Sequence, residues 1–224
     1  MDTAPAPRSD YMDAQGARDD GTDPEFMLVT LQTRTGERYL QLDAQTALLV
    51  ETPALVSTYA DNTRLLVQAR ILRRSGLDAY YSGVARIVWI EAVNVGDVLS
   101  YWDIISEQGP DSSPTPPAGP SDPPDLSGSP LEVLEDWMTV AEAGYLTVHY
   151  RILDSGQVQH QFRLQCAGKD YYLMHDAGGD TEGDPVEGLV CFPISLADQT
   201  EFNLHYLDFE NNERVLTFEY EAGK

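Results

Sequence analysis

The sequence predicts an all-β protein in which an N-terminal OB-like small barrel is followed by a C-terminal β-sandwich. Short apolar segments rich in β-branched and aromatic residues recur along the 224-residue chain. Gly, Asn and Asp separate these segments at turn positions, and no long stretch has the 3.6-residue apolar period of an amphipathic helix. A proline-rich stretch divides the segments into two series of roughly a hundred residues each, which favours two domains.

Residues 1–26 are predicted to form a disordered acidic leader. They contain seven acidic residues, two arginines, three prolines and two glycines, with almost no apolar periodicity. Met1 is followed by Asp2 and not by a basic and then an apolar segment, and no run reaches the ~18 apolar residues that span a bilayer. The sequence as given is therefore expected to be soluble and to carry no signal peptide.

Residues 27–106 are predicted to form the OB-like barrel. The apolar pattern begins at residue 26 and forms a hairpin across Thr35 and Gly36, and three more strands are predicted over 46–51, 64–72 and 84–91. Five short strands without long helical patterns between them favour a Greek-key barrel. The segment 96–105 is expected to pack on this barrel as a tail, with Trp102 as its apolar anchor.

Residues 107–130 are predicted to form a disordered linker, because eight of these 24 residues are proline and none is lysine or arginine. Residues 131–224 are predicted to form the β-sandwich, with strands over 145–153, 158–166, 171–174, 188–194, 201–209 and 214–220. The segment 131–142 is ambiguous between a short helix and an entering strand. Cys166 and Cys191 leave one disulfide or two buried thiols open.

The charge of the chain bears on its partners. The formal net charge is −23, and only two of the fourteen basic residues are lysine. Such a chain is not attracted to phosphate backbones or anionic lipid, so no nucleic-acid partner is predicted. Self-repulsion of this kind favours a soluble monomer.

Several segments occur together in a recognisable order. These are 28–33 (LVTLQT), 39–43 (YLQLD), 88–91 (VWIE), 136–147 (DWMTVAEAGYLT) and 175–180 (HDAGGD). Together they resemble the NigD-like proteins of Bacteroidales bacteria, over residues 27–221. The resemblance implies an N-terminal OB-like domain, a C-terminal β-sandwich, and an exported outer-membrane lipoprotein whose signal and lipidated cysteine lie outside this sequence. The family is of unknown function, and its name comes from a gene near a bacteriocin locus.

The loop 176–187 contains the densest group of carboxylates in the predicted domains. Ca²⁺ takes about six to eight oxygen ligands, and Asp176, Asp180, Glu182 and Asp184 are the candidate metal ligands. The spacing departs from an EF-hand, because position 6 counted from Asp180 is proline and position 12 is cysteine. A solvated strand connection explains the same residues. No cofactor is therefore predicted, with Ca²⁺ as the alternative.

Two of the four histidines bear on metal or catalytic chemistry. His160 shares a strand face with apolar residues and is predicted to be a hydrogen-bonded core histidine. His175 with Asp176 and Asp180 is a transition-metal alternative, although the H-x-x-x-H and H-E-x-x-H spacings are missing. The sequence also has no G-x-S-x-G motif and no glycine-rich phosphate loop. No catalytic residue is predicted, and the protein is expected not to be an enzyme.

Paired aromatic residues are the remaining candidate for ligand binding. Exposed aromatic side chains on β domains often stack on sugars or on partner surfaces, and Tyr81, Tyr101, Trp102 and Tyr172 are the candidates. The leading hypothesis is a non-enzymatic cell-envelope protein that binds a protein or a glycan through aromatic and acidic loops. A metal-dependent hydrolase or calcium-binding module using residues 176–187 is the second hypothesis, and a bacteriocin-related protective factor is the third.

Overall fold

The computed structural model describes residues 23–73, 76–100, 126, 128–194 and 201–220. Within these ranges the chain forms strands and turns, and its helical structure is limited to one turn of 3-10 helix at Pro53–Val56. None of the helical structure found there is long and apolar enough to cross a membrane. The predicted all-β class is confirmed. The chain divides after Val93 into two compact units.

Five strands of the first unit close into a barrel. They are β1 (Glu25–Arg34), β2 (Glu37–Gln41), β3 (Ala47–Val50), β4 (Arg64–Leu72) and β5 (Gly83–Ala92). Their order around the barrel is β1-β2-β3-β5-β4, and β3 and β5 are parallel whereas the other neighbours are antiparallel. This closed five-stranded arrangement is the predicted OB-like barrel.

The barrel follows directly from its turn residues and its apolar pattern. Thr35 and Gly36 have φ angles of 51° and 86°, so both adopt the left-handed conformation that a two-residue hairpin turn requires. The turn places β1 against β2 as the sequence predicted. The core of the barrel consists of aliphatic side chains, which include Val29, Leu31, Leu40, Leu65 and Val67.

Ten strands of the second unit form two sheets. They are β6 (Asn94–Val95), β7 (Asp97–Ser100), β8 (Glu132–Val133), β9 (Val140–Glu142), β10 (Tyr145–Asp154), β11 (Gln161–Ala167), β12 (Asp170–Asp176), β13 (Asp184–Pro193), β14 (Glu201–Leu207) and β15 (Glu213–Glu219). One sheet has the order β6-β13-β10-β8, with β9 also paired to β10, and the other has the order β15-β14-β12-β11-β7. The predicted sandwich is confirmed.

The alternation of apolar residues builds the core of the sandwich. Leu146, Val148 and Ile152 of β10 are buried, and they meet Leu164 of β11 and Phe192 of β13 in one cluster. Two of the connections between the sheets are residues 155–160, which link β10 to β11, and residues 177–183, which link β12 to β13. Because Asp154 pairs with Asp184 and Gln161 pairs with Asp176, both connections lie at the same end of the sandwich.

The segment after the barrel belongs to the sandwich. The prediction that residues 96–105 pack on the barrel as a tail is wrong for the described part, because β6 pairs in parallel with β13 and β7 pairs in parallel with β11. The pairing covers backbone groups of two sandwich strands that would otherwise be unpaired. The second unit therefore begins at Asn94 and not after residue 106. Trp102, the expected anchor, lies outside the described residues.

The C-terminal end of the predicted linker is ordered. The Ser129 N–H donates to the carbonyl of His175 (2.7 Å), and Leu131, which follows the linker directly, is fully buried. The prediction of disorder is thus wrong for residues 128–130, because their backbone groups find partners on β12. The ambiguous segment 131–142 forms the short strands β8 and β9. No disulfide joins Cys166 and Cys191.

Candidate functional site

A cleft of about 430 Å³ opens on the sandwich unit. Residues of both sheets and of the connection 155–160 form its walls. Exposed amide and carboxylate side chains alternate there with valines and aromatic rings. The polar residues of the cleft include Asn94, Asp97, Gln159 and Gln161, and its aromatic residues include Tyr150 and Phe162.

Four stacked rings lie beside this cleft, and three of them, Tyr150, Phe162 and His160, line it. The ring centroids of Tyr150 and Phe162 lie 4.3 Å apart. Phe162 stacks on His175 at 5.0 Å with an interplanar angle of 13°, and His175 stacks on His160 at 5.1 Å and 16°. Since β10, β11 and β12 supply these rings or flank them, the sheets themselves hold the stack in place.

A chain of hydrogen bonds joins the two histidines. The His175 Nδ1 atom lies 3.3 Å from the Pro130 carbonyl oxygen, and the His175 Nε2 atom lies 2.8 Å from the His160 Nδ1 atom. Because a carbonyl only accepts, His175 carries its proton on Nδ1. Burial lowers the pKa of His175, and the hydrogen bond to Pro130 opposes this effect only in part. The ring is therefore neutral at neutral pH, and its Nε2 atom accepts the proton of His160 Nδ1.

Two carboxylates face the other nitrogen of His160. The Nε2 atom lies 3.6 Å from Asp154 Oδ1 and 3.7 Å from Asp180 Oδ2. The Ser155 hydroxyl and backbone N–H donate to Asp180 Oδ2 at 2.6 and 2.9 Å. These two hydrogen bonds hold the pKa of Asp180 below its ordinary value. Within the described parts of the chain, Asp154, His160 and Asp180 form the one group of three His, Cys, Asp or Glu residues whose ligand atoms lie within 4.8 Å of one another.

Glycines let the two connections approach each other. Gly183 has a φ angle of 137°, and a Cβ atom there would collide with the peptide group between Asp154 and Ser155. A Cβ atom on Gly178, at φ 60°, would lie 2.6 Å from a methyl group of Val158. The connection 177–183 can therefore pack on the connection 155–160 only with glycine at these positions.

The four carboxylates predicted as metal ligands are placed differently from one another. Asp180 points inward, and its side chain is only 6% exposed. Asp176 is exposed and accepts the Gly178 N–H, and Glu182 and Asp184 are exposed as well. Of the four, only Asp180 belongs to the group of three ligand-type residues. Asp176 and the glycines at positive φ serve turn geometry in this loop, as the alternative explanation held.

The predicted ligand-binding aromatic residues do not offer free faces where they are described. Tyr81 is buried against Tyr39, and Tyr172 is buried and stacks on His205 at 4.6 Å. The exposure expected of Tyr81 and Tyr172 is wrong. Of the neighbouring residues Tyr80 and Tyr81, it is Tyr80 that is partly exposed. The reason is local packing, because neighbouring rings and strands cover both side chains. Tyr101 and Trp102 lie outside the described residues.

Sequence reasoning missed two members of the group of three. Asp154 ends a strand and was not singled out, and His160 was predicted to be a hydrogen-bonded core histidine, which its Nδ1 contact with His175 confirms. Its ring is buried as predicted, but the Nε2 atom has no hydrogen-bond partner among the described residues. The available signal was an acidic residue, Asp154, at the end of one predicted strand and a histidine, His160, near the start of the next. The two residues approach Asp180 only because the two sheets pack together.

Comparisons with known proteins agree with this architecture. Residues 117–220 match the family model of the NigD-like C-terminal beta sandwich domain. The curated proteins gave no match.

Solved structures share the fold over most of the chain. A protein from Parabacteroides distasonis named as toxin related is 18% identical with a TM-score of 0.65, and the match covers 89% of this chain and 94% of that one. A NigD-like immunity protein from Bacteroides caccae is 18% identical with a TM-score of 0.51, covering 86% and 91%. A protein from Bacteroides fragilis named as a lipoprotein is 12% identical with a TM-score of 0.57, covering 90% and 100%. At such low identity these similarities show the fold alone.

Proposed function

We propose that this chain, whose residues 117–220 match the NigD-like C-terminal beta sandwich domain, is a non-enzymatic binding protein of the cell envelope whose ligand site is the cleft of the sandwich unit. One observation carries the proposal. The cleft has a volume of about 430 Å³, and it combines partly exposed aromatic rings with exposed amide and carboxylate side chains. Concave sites that join apolar rings to a few polar groups are the usual form of small-ligand sites.

The side chains of the cleft suit a glycan. Asn94, Gln159 and Gln161 are exposed and can both donate to and accept from sugar hydroxyls, whereas a carboxylate such as Asp97 accepts only. The partly exposed Tyr150 ring presents apolar surface for the C–H face of a sugar, whereas Phe162 contributes only its edge because Tyr150 and His175 pack against its ring. The net charge of −23 argues for a neutral glycan over a polyanionic one.

The binding role without turnover rests on the sequence. The chain has no G-x-S-x-G motif and no H-E-x-x-H spacing, which are frequent frames for hydrolytic centres. A binding protein needs neither. The proposal therefore assigns the cleft to recognition.

A thermal-unfolding screen of the full chain against neutral polysaccharides and their oligosaccharides tests the proposal. A ligand that binds only the folded protein raises its melting temperature, and titration calorimetry then gives the affinity. Gln161→Ala and Asn94→Ala should each weaken binding about fivefold, the effect of losing about one hydrogen bond. Gln68→Ala on the barrel is the matched control and should leave the affinity unchanged. A panel without any stabilising glycan would refute the proposal.

A protein ligand and a bacteriocin-protective role are the alternatives. The immunity protein of Bacteroides caccae shares the fold at 18% identity, which suggests the second of them. Capture of a partner from envelope extracts that is lost in Gln161→Ala would favour a protein ligand. Survival of bacteriocin-treated cells only when the chain is expressed would favour protection.

The envelope location is proposed as an exported outer-membrane lipoprotein. The similar fold of the Bacteroides fragilis protein named as a lipoprotein supports it. Fractionation of the native host, with metabolic labelling by a fatty acid, tests the location. Recovery of the unlabelled protein in the cytoplasm would contradict it.

A further inference from the structure

We propose that Asp154, His160 and Asp180 bind a divalent transition-metal ion of the zinc class. The inference goes beyond the proposed function, because it concerns an ion and does not depend on a glycan. The three residues come from the end of β10, the residue before β11 and the connection between β12 and β13. Their ligand atoms lie within 4.8 Å of one another.

The central observation is that the buried Nε2 atom of His160 has no hydrogen-bond partner in the described part of the chain. The His160 side chain is 6% exposed, and its Nε2 atom makes no hydrogen bond to any described residue. The two carboxylate oxygens nearest to it lie 3.6 and 3.7 Å away, beyond the roughly 3.2 Å of an ordinary N–H···O hydrogen bond. Buried polar atoms are almost always paired, so this atom calls for an explanation.

The hydrogen bonds of the neighbouring residues determine which ring nitrogen of His160 carries a proton. The Pro130 carbonyl fixes a proton of His175 on Nδ1, so the His175 Nε2 atom accepts from His160 Nδ1–H. In this tautomer of His160 the lone pair lies on Nε2. Three acceptor atoms, this nitrogen and the two carboxylate oxygens, face one another, and a cation between them would satisfy all three.

The distances between His160 Nε2 and the two carboxylate oxygens fit a bound zinc ion. Zinc binds imidazole nitrogen and carboxylate oxygen at about 2.0–2.2 Å, so two ligands in a tetrahedral arrangement lie about 3.4 Å apart. The observed separations of 3.6 and 3.7 Å from His160 Nε2 are close to this value. Imidazole together with carboxylates is a set of ligands that zinc and its neighbours accept, whereas calcium prefers oxygen ligands alone.

The surroundings also resemble those of metal ligands in general. A histidine that binds a metal usually donates its other ring N–H to a neighbouring group, and His175 accepts that proton here. Ligating carboxylates are usually held by hydrogen bonds as well, and Ser155 holds Asp180. Both contacts are present without any contribution from an ion.

A proton on His160 Nε2 is the competing occupant. A proton would form a short hydrogen bond with one carboxylate, yet both oxygens lie at nearly equal and long distances. Among the described residues, His205 shows what a histidine satisfied by carboxylates looks like, because its ring nitrogens lie 2.7 Å from Glu213 and 3.3 Å from Asp170. The geometry around His160 matches an ion better than a proton.

Titration of the chelator-treated full chain with zinc chloride, followed by calorimetry, tests the inference. One ion should bind per chain, and zinc should raise the melting temperature. His160→Asn and Asp180→Asn should each weaken binding by at least about tenfold, the usual range for a lost ligand or its partner. Asp154→Asn, at a side chain that is 28% exposed, gives the same comparison with less risk to folding.

His205→Asn is the matched control, since it also removes a histidine between two carboxylates on the same domain. Its zinc affinity should equal that of the unchanged protein. Binding that survives Asp154→Asn and His160→Asn, or that falls equally in His205→Asn, overturns the inference. So does a stronger response to calcium than to zinc. These outcomes are independent of the glycan screen, because Gln161→Ala should retain the ion.

Discussion

Gly96 lies against the aromatic ring of Phe192 in the sandwich. A Cβ atom on Gly96 would lie 2.8 Å from Cζ of that ring and closer still to a neighbouring carbon, and the Gly96 N–H donates to the Cys191 carbonyl. The contact joins the segment that follows the barrel to the core of the second unit. It leaves no space for a side chain.

Gly96→Ala should therefore destabilise the sandwich. Overpacking a core costs about 1–3 kcal/mol, which lowers the melting temperature by several degrees in a domain of this size. Differential scanning calorimetry measures the change. Adding Phe192→Leu should recover part of the loss, so that the double variant is more stable than the sum of the single effects predicts. Strict additivity would contradict the contact.

Gly183→Ala should destabilise the protein more than Gly179→Ala. Both glycines have positive φ angles, 137° and 88°, so alanine is strained at each. At Gly179 the new methyl group meets nothing within 4 Å, whereas at Gly183 it meets the peptide group of Asp154. Urea unfolding compares the two variants, and the difference should be at least about 1 kcal/mol. Equal stability of both variants would contradict the close packing of the two connections.

Stability should fall in acid partly through Asp208. The Asn212 N–H donates to its carboxylate, and together with the Glu210 N–H and the Arg214 guanidinium this lowers the pKa of Asp208. A carboxyl group whose pKa is lowered on folding adds stability above its unfolded pKa of about 3.9, and the contribution is lost as the pH falls through the folded pKa. Asp208→Asn should therefore show a shallower loss of melting temperature between about pH 5 and pH 2 than the unchanged protein. Identical slopes would rule out this contribution.

The two cysteines should differ in reactivity. No disulfide joins them, and Cys191 is fully buried whereas Cys166 is half-buried. A thiol-reactive dye should label Cys166 in the folded protein and Cys191 only after unfolding. Cys166→Ser should abolish the labelling of the folded state. Labelling of Cys191 at the same rate as Cys166 would show that the sheet containing β13 opens readily.

The sequence predicts strands best where the local signal is strong. Arg64 and Leu72 are the observed ends of β4 as well as the predicted ones, because the segment alternates and turn residues precede it. The pairing of β7 with β11 was not predictable in this way. Parallel pairing between distant segments leaves no local signal, and the valines of residues 94–100 suit either domain equally.

The group of Asp154, His160 and Asp180 was predictable only in part, because contacts between segments distant in sequence leave no local signal. Asp180 was singled out because it lies in an acidic loop, and it does join the group of three ligand-type residues. Its partners lie in another connection, and they approach it only because the sheets bring both connections to one end of the sandwich. Tyr81 and Tyr172 show the reverse case, since adjacent aromatic residues do not reveal which ring a neighbouring strand will cover.

The parallel pairing of β6 and β7 has a consequence for how the chain acquires its structure. Val95 pairs with Cys191 and Ser100 pairs with Cys166. These two strands are among the first of their domain to be synthesised, whereas the strands that they pair with are synthesised much later. Contacts between residues so distant in sequence slow folding, because the intervening chain must be ordered first. During synthesis, the nascent sandwich therefore exposes unpaired strands for longer than the barrel does, and unpaired strands of this kind are prone to aggregate.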